Sequence, residues 1–123
     1  MRAYRGRVVK GSRVGRRLGF PTANISLKAH PPRGVWKVIV NGTTLKDAVG
    51  ACNVGVRPTV GGLKLVTEVH IPGFKGNLYG RTLTLRFLKK IRAEKRFPSL
   101  GALRAQIRRD VAAVARRHAR ITA

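Results

Sequence analysis

What most constrains this chain is a two-residue alternation, broken repeatedly by glycine and proline, with no helical stretch before Pro98. From Leu63 to Ile71, Leu63, Leu65, Thr67, Val69 and Ile71 point one way, while Lys64, Val66, Glu68 and His70 point the other. Pro72-Gly73 ends that run. Within Tyr79 to Leu88, Leu83, Leu85 and Phe87 alternate with Thr82, Thr84 and Arg86. Upstream, Arg5–Lys10, Val35–Val40 and Ala48–Val54 read as strands, with Asn41-Gly42 as a hairpin turn and Gly61-Gly62 as the next turn. Arg13–Asn24 reads as a loop, spaced by Gly15, Gly19 and Pro21. Strands joined by tight turns pair antiparallel, because a parallel pair needs a crossover of about a dozen residues or more. The expected class is all-β, an antiparallel barrel or sandwich, and a barrel also removes exposed edges.

The period changes after Pro98. Ser99 is a candidate N-cap, although Ala102 stands where a capping box would place Glu or Gln. Leu100, Leu103, Ile107, Val111 and Val114 form an apolar stripe at helical spacing, by which a helix over about 99–118 should pack on the barrel. Its late arginines and His118 fall at the favourable end of the helix dipole. The 123 residues are expected to form one domain, barrel about 4–91 and then helix.

Charge narrows the partners. There are 27 Lys+Arg against 4 Asp+Glu, a net charge of +23, while 43% hydrophobic residues suffice for a folded core. Such a balance favours anionic partners: nucleic acid, a membrane surface or a nucleotide phosphate. The lone Cys52 excludes an intrachain disulfide framework and a cysteine metal cluster, and reads as a small apolar strand residue. Three scattered His and four carboxylates make an all-protein metal site difficult. No apolar run approaches the roughly 20 residues of a membrane span. No secretory apolar segment follows the basic start, so a cytoplasmic setting is expected.

The densest chemical signal is Gly6-x-Val8-x-x-Gly11-x-x-x-Gly15-Arg16-x-Leu18-Gly19-Phe20-Pro21-Thr22-Ala23-Asn24. Glycines let backbone N–H groups approach an anion, and Lys10, Arg13, Arg16 and Arg17 add positive charge. Thr22 and Asn24 offer neutral oxygens that could complete the shell of a phosphate-borne Mg²⁺. A surface loop with turn glycines explains the same residues, and the spacing is not that of a Walker A loop. Glu68 is the second outlier, an acid inside a strand among Val66, Thr67 and Val69. It could accept a proton from a substrate hydroxyl or simply neutralise an arginine. Asp47 is placed near a turn, Glu94 as a local charge partner, Asp110 as a tie between a basic loop and the barrel, and Trp36 and Tyr79 as packing residues.

The Gly6–Asn24 run resembles the signature of bacterial riboflavin kinases, the kinase module of bifunctional riboflavin kinase/FAD synthetases. The similarity continues through Pro32-Arg33-Gly34-Val35 and Asn53-Val54-Gly55-Val56-Arg57-Pro58-Thr59. It resumes at Glu68-Val69-His70, Phe74, Leu78-Tyr79-Gly80, Ile91-Arg92-x-Glu94-x-x-Phe97 and the helix with Leu103, Gln106 and Asp110. Gly73, Asn77 and Pro98 stand where bacterial members usually carry an acid.

The resemblance implies a six-stranded antiparallel Greek-key barrel with a C-terminal α-helix packed against it. It also implies transfer of the ATP γ-phosphoryl to the ribityl 5′-hydroxyl of riboflavin, giving FMN and ADP. On that basis Glu68 is the expected catalytic base, and Thr22 and Asn24 the expected Mg²⁺ site. Gly11, Gly15, Arg16, Gly19, Phe20 and Pro21 should enclose the nucleotide phosphates, with Asn53, Pro58 and Thr59 as a second nucleotide segment. Arg92, Phe97 and Leu103 should line the flavin. The implied protein is a monomer, either free-standing or a piece of a bifunctional chain, with only incidental nucleic-acid binding and no membrane partner. The competing expectations are a basic nucleic-acid-binding module and an inactive relative on the same barrel.

Overall fold

The computed structural model describes residues 2–11 and 14–115. Six strands, β1 (Arg2–Val9), β2 (Ala23–Ser26), β3 (Gly34–Gly42), β4 (Leu45–Thr59), β5 (Gly62–His70) and β6 (Thr82–Arg92), close into a barrel in the order β1-β2-β5-β4-β3-β6. Every pairing is antiparallel. β3, β4 and β5 form a meander, and β2 returns beside β5 through a long connection, which is the Greek-key arrangement. A single helical turn, α1 (Val14–Arg17), precedes β2, and α2 (Leu100–Ala115) follows the barrel.

Alternation places the core. Val38 and Val40 of β3, Cys52 and Val54 of β4, Thr67 and Val69 of β5, and Leu83, Leu85 and Phe87 of β6 are buried. Tyr4 and Trp36 pack edge-on against Phe87 at centroid distances of 5.2 and 5.5 Å. Leu63, expected to face inward, is 76% exposed because the β4–β5 hairpin runs out past the core. Burial pushes the Cys52 thiol up, and the nearby Glu68 charge adds to the shift, so this cysteine stays an inert core residue.

Both hairpin turns sit later or earlier than their glycines suggest. Asn41 and Gly42 end β3, and the chain reverses at Thr43-Thr44. Asn41 bridges the two strands: its Nδ2 donates to Asp47 Oδ1 at 3.3 Å and its Oδ1 accepts the Asp47 N–H at 2.8 Å. The other reversal is at Val60-Gly61, with Gly62 already paired to Thr59. Arg13–Asn24 is not all loop, since it holds α1 and the first residues of β2.

The helix is rotated relative to its apolar stripe. Gln106, Asp110 and Val114 are its buried residues, Leu103, Ile107 and Val111 are half-buried, and Leu100 is 62% exposed. The cause is a polar bracket. Arg92 Nε and Nη2 donate to Asp110 Oδ1 and Oδ2 at 2.9 and 2.8 Å, and Gln106 Nε2 donates to Asp110 Oδ1 at 3.0 Å. A buried carboxylate must be paired, so it draws its own face of α2 toward the end of β6. α2 rests mainly on β4, with further contact to β3 and β6. The Ser99 hydroxyl accepts the Ala102 N–H at 3.1 Å and caps the helix. His118 and the expected helical residues 116–118 lie outside the described residues.

Candidate active site

Strand register assembles a polar row. Asn24 of β2 lies opposite Glu68 of β5, and Glu68 lies opposite Asn53 of β4. Their chain neighbours Ile25, Val69, Cys52 and Val54 are in the core, so the three polar side chains stand together on the outward face of the sheet, largely covered. Each Glu68 oxygen has its own partner. Oε1 accepts the Thr22 hydroxyl at 3.0 Å, and Oε2 stands 3.6 Å from Arg57 Nε. The Glu68 side chain is only 12% exposed.

The loop before β2 presents Thr22. The Phe20 and Leu18 N–H groups donate to the Gly15 carbonyl at 2.7 and 3.1 Å, folding the loop tightly on itself. A Cβ on Gly15 would come within 2.5 Å of the Phe20 carbonyl oxygen, so only glycine fits there. Gly11 packs against the Asn24 side chain, whose amide nitrogen would have to move from an added Cβ. Gly19 adopts φ +90°, in the left-handed region that glycine tolerates. His70 Nδ1 donates to the Pro21 carbonyl at 2.7 Å, and its ring meets Phe20 edge-on at 5.5 Å. Arg104 Nε of α2 donates to the Leu18 carbonyl at 3.1 Å, tying the helix to this loop.

A cavity of about 780 Å³ opens beside the loop. Its walls are Val8–Gly11 at the end of β1, Arg16, Pro21–Asn24, Val69, Ile71 and the segment Phe74–Tyr79. Lys10, Arg16 and Lys75 supply positive charge, whereas Phe74, Leu78 and Tyr79 supply apolar surface. That volume and that division suit a ligand with an anionic and an apolar part. Alternation and composition do not mark the Phe74–Tyr79 wall, and Tyr79, expected to be a packing residue, is 56% exposed and faces the cavity. The sequence signals for it are the glycines at 73, 76 and 80 and the Leu78-Tyr79-Gly80 match to the family; in the structure all three glycines take positive φ and bend this segment back over β1. The Gly80 N–H donates to Val8 O, and Val8 N–H donates to Arg81 O.

Gly11, Arg16, Pro21, Thr22 and Asn24 thus meet around one cavity, with Glu68 joined through Thr22. Pro58 is not among its walls, and the backbones of Pro58 and Thr59 pair with Leu63 and Gly62 at the far end of β4, roughly 17 Å along the strand from Asn53. Arg92, Phe97 and Leu103 belong to the α2 side, where Arg92 stands 5.7 Å over the Phe97 ring. Two contributors to the polar row escaped sequence reasoning, Arg57 and Glu94. Glu94 serves no partner within its own basic stretch. It accepts from Arg57 Nη1 at 2.8 Å, Arg33 Nη2 at 3.0 Å and the Val56 N–H at 3.3 Å. Burial alone would push the Glu94 carboxyl up, but those hydrogen bonds outweigh it and hold it below the ordinary carboxylate range.

The Flavokinase sequence profile, described as riboflavin kinase, matches residues 2–118. The chain belongs to the riboflavin kinase family. Among its relatives, the bifunctional riboflavin kinase/FMN adenylyltransferase of Escherichia coli K12 is 47% identical over 110 residues, covering 88% of this chain and 35% of that protein. The RNA-binding riboflavin kinase RibR of Bacillus subtilis is 43% identical over 114 residues, covering 91% of this chain and 49% of that protein. The crystal structure of riboflavin kinase from Trypanosoma brucei shares the fold with a TM-score of 0.64 at 27% identity, over 92% of this chain and 76% of that one. The chain therefore spans about a third of the length of the bifunctional relatives and half that of the Bacillus protein.

Proposed function

We propose that this riboflavin kinase family member transfers the γ-phosphoryl group of ATP to the terminal ribityl hydroxyl of riboflavin, giving FMN and ADP. The observation that carries the reading is Glu68, a mostly buried carboxylate hydrogen-bonded to Thr22 at the rim of a partly cationic cavity. A primary alcohol is a poor nucleophile at neutral pH. A carboxylate within hydrogen-bond reach orients the hydroxyl and takes its proton as the new bond forms. The remaining demand is alignment and charge neutralisation, and Lys10, Arg16 and the glycine-shaped loop face that space.

Thr22 and Asn24 would hold the Mg²⁺ of a metal–nucleotide complex. Their donors are neutral oxygens on the cavity wall, Thr22 is hydrogen-bonded to the Glu68 carboxylate, and no cluster of three His, Cys, Asp or Glu exists among the described residues. That donor set suits a cation carried mainly by phosphates and water rather than an all-protein cage. Bound there, Mg²⁺ supplies neutralisation of the phosphate oxygens. Arg92, Phe97 and Leu103, on the α2 side, would form the wall for the flavin, and Asn53 completes the polar row.

The chain works as a cytoplasmic, monomeric unit, alone or within a longer bifunctional protein. Its contact with nucleic acid is salt-sensitive and incidental. Incubation with riboflavin, ATP and Mg²⁺, followed by chromatography of the flavins, tests the reading. FMN should form in proportion to folded protein, and folded protein that yields no FMN would overturn it.

A further inference from the structure

The contacts of Glu68 continue outward to a second carboxylate. Asn53, Gly55 and Arg57 share the outer face of β4, and Arg57 turns back along it. Gly55 is the notch that permits this: a Cβ there would lie 1.5 Å from Glu94 Oε2. Arg57 Nη1 donates to that Oε2 at 2.8 Å and to the Val56 carbonyl at 3.0 Å. Its Nε stands 3.6 Å from Glu68 Oε2, outside hydrogen-bond range. Glu94 is itself fixed by Arg33 and the Val56 N–H. One guanidinium therefore lies between two mostly buried carboxylates and is committed to the farther one.

We propose that Glu94 is a positioning residue for phosphoryl transfer: by holding Arg57, it keeps the guanidinium at ion-pair distance from Glu68 and stops it from closing into a hydrogen bond on Oε2, the oxygen that receives the substrate proton. The proposal rests on the reading of Glu68 as proton acceptor. Released from Glu94, Arg57 would form a forked pair with Glu68. That pair would occupy the carboxylate and make it a poorer acceptor. If Glu94 merely tied the segment after β6 to β4, its loss would loosen the fold and leave each folded molecule as fast as before.

The test is steady-state kinetics on the whole chain, normalised to the folded fraction. Glu94→Gln keeps the shape and removes the charge that holds Arg57. It should lower kcat about tenfold while leaving KM for riboflavin and for ATP within about twofold. In an Arg57→Met background the same Glu94→Gln change should add no further loss, since the group it controls is gone. An unchanged kcat per folded Glu94→Gln molecule, or an undiminished loss in the Arg57→Met background, would overturn the proposal. Glu68→Gln measured alongside separates the two levels. A slow Glu68→Gln with a normal Glu94→Gln rejects the positioning role alone, whereas a normal Glu68→Gln rejects the acceptor and its positioning residue together.

Discussion

The outer surfaces of β2–β5–β4 and of β1–β6–β3 are built by the same alternation and carry charge in opposite ways. On the first, Asn24, Glu68 and Asn53 stand side by side, and Arg57 lies between two carboxylates under partial cover, bonded to Glu94. On the second, Arg5, Arg7 and Arg86 project into water with no carboxylate partner among the described residues. Asp47, at the edge of that face, bonds Asn41 instead. The difference teaches where pairing is compulsory. The Pro21–Thr22 loop covers the first surface, and α2 rests on β4 and on the Arg92 end of β6; where they remove water, a charge must find a partner. The open side makes no such demand, so its cations cost little individually and act together as a field. With 4 acids for 27 cations, three of the acids form all the described ion pairs, and those pairs lie beside the polar row or beneath α2.

The largest expected contrast is in stability. Asp110→Ala strips the partner from Arg92 under α2 and should cost about 3–5 kcal/mol. Arg86→Ala on the open face should change stability by less than about 0.5 kcal/mol. Urea unfolding of both variants checks this, and similar small shifts in the two midpoints would dissolve the distinction.

Catalysis should show the next largest effect. Glu68→Gln should slow single-turnover FMN formation by about 10²-fold or more, with riboflavin and ATP binding retained. An ordinary rate per folded molecule, accompanied by lost stability, would reduce Glu68 to a structural counter-charge. Thr22→Val removes one hydrogen bond to a charged group, an interaction worth about 1.5–3 kcal/mol. It should lower turnover about tenfold or more without unfolding the barrel, and full turnover at saturating Mg²⁺ and ATP would exclude a role for its hydroxyl.

Acid sensitivity sharpens the same comparison. Glu94 is held below its ordinary value of 4.5 in the folded chain, so it contributes stability above that pH and loses it as pH falls through the depressed value. Thermal melts from pH 6 downward should show a decline that Glu94→Gln flattens; parallel curves for the two proteins would remove Glu94 from the acid response. The smallest effect belongs to the open face. Replacing Arg5, Arg7 and Arg86 by Ala should leave kcat unchanged and reduce the salt dependence of weak RNA binding, by about 0.7 in log–log slope for each phosphate no longer neutralised. An unchanged slope would place incidental binding elsewhere on the molecule.

Much of the barrel followed from local pattern alone. Thr67, Val69, Leu83, Leu85 and Phe87 face inward as alternation requires, and Thr22 and Asn24 are site neighbours because they are two residues apart in a glycine-shaped segment. These are short-range facts, because the side-chain period is a property of one strand and a turn is a property of a few residues. Tertiary structure alone decided which residues of different strands meet. A one-residue slip of β5 against β4 or β2 would have turned Glu68 into the core and broken the row with Asn24 and Asn53. Barrel closure set that register, just as the Arg92–Asp110 pair, and not the apolar stripe, set the rotation of α2. Glu94 went unrecognised for the same reason: its partners are the Gly55 notch, Arg57 and Arg33, all remote in the chain. Periodicity fixes the direction of a side chain, but its neighbour across a sheet is chosen by the packing of the whole barrel.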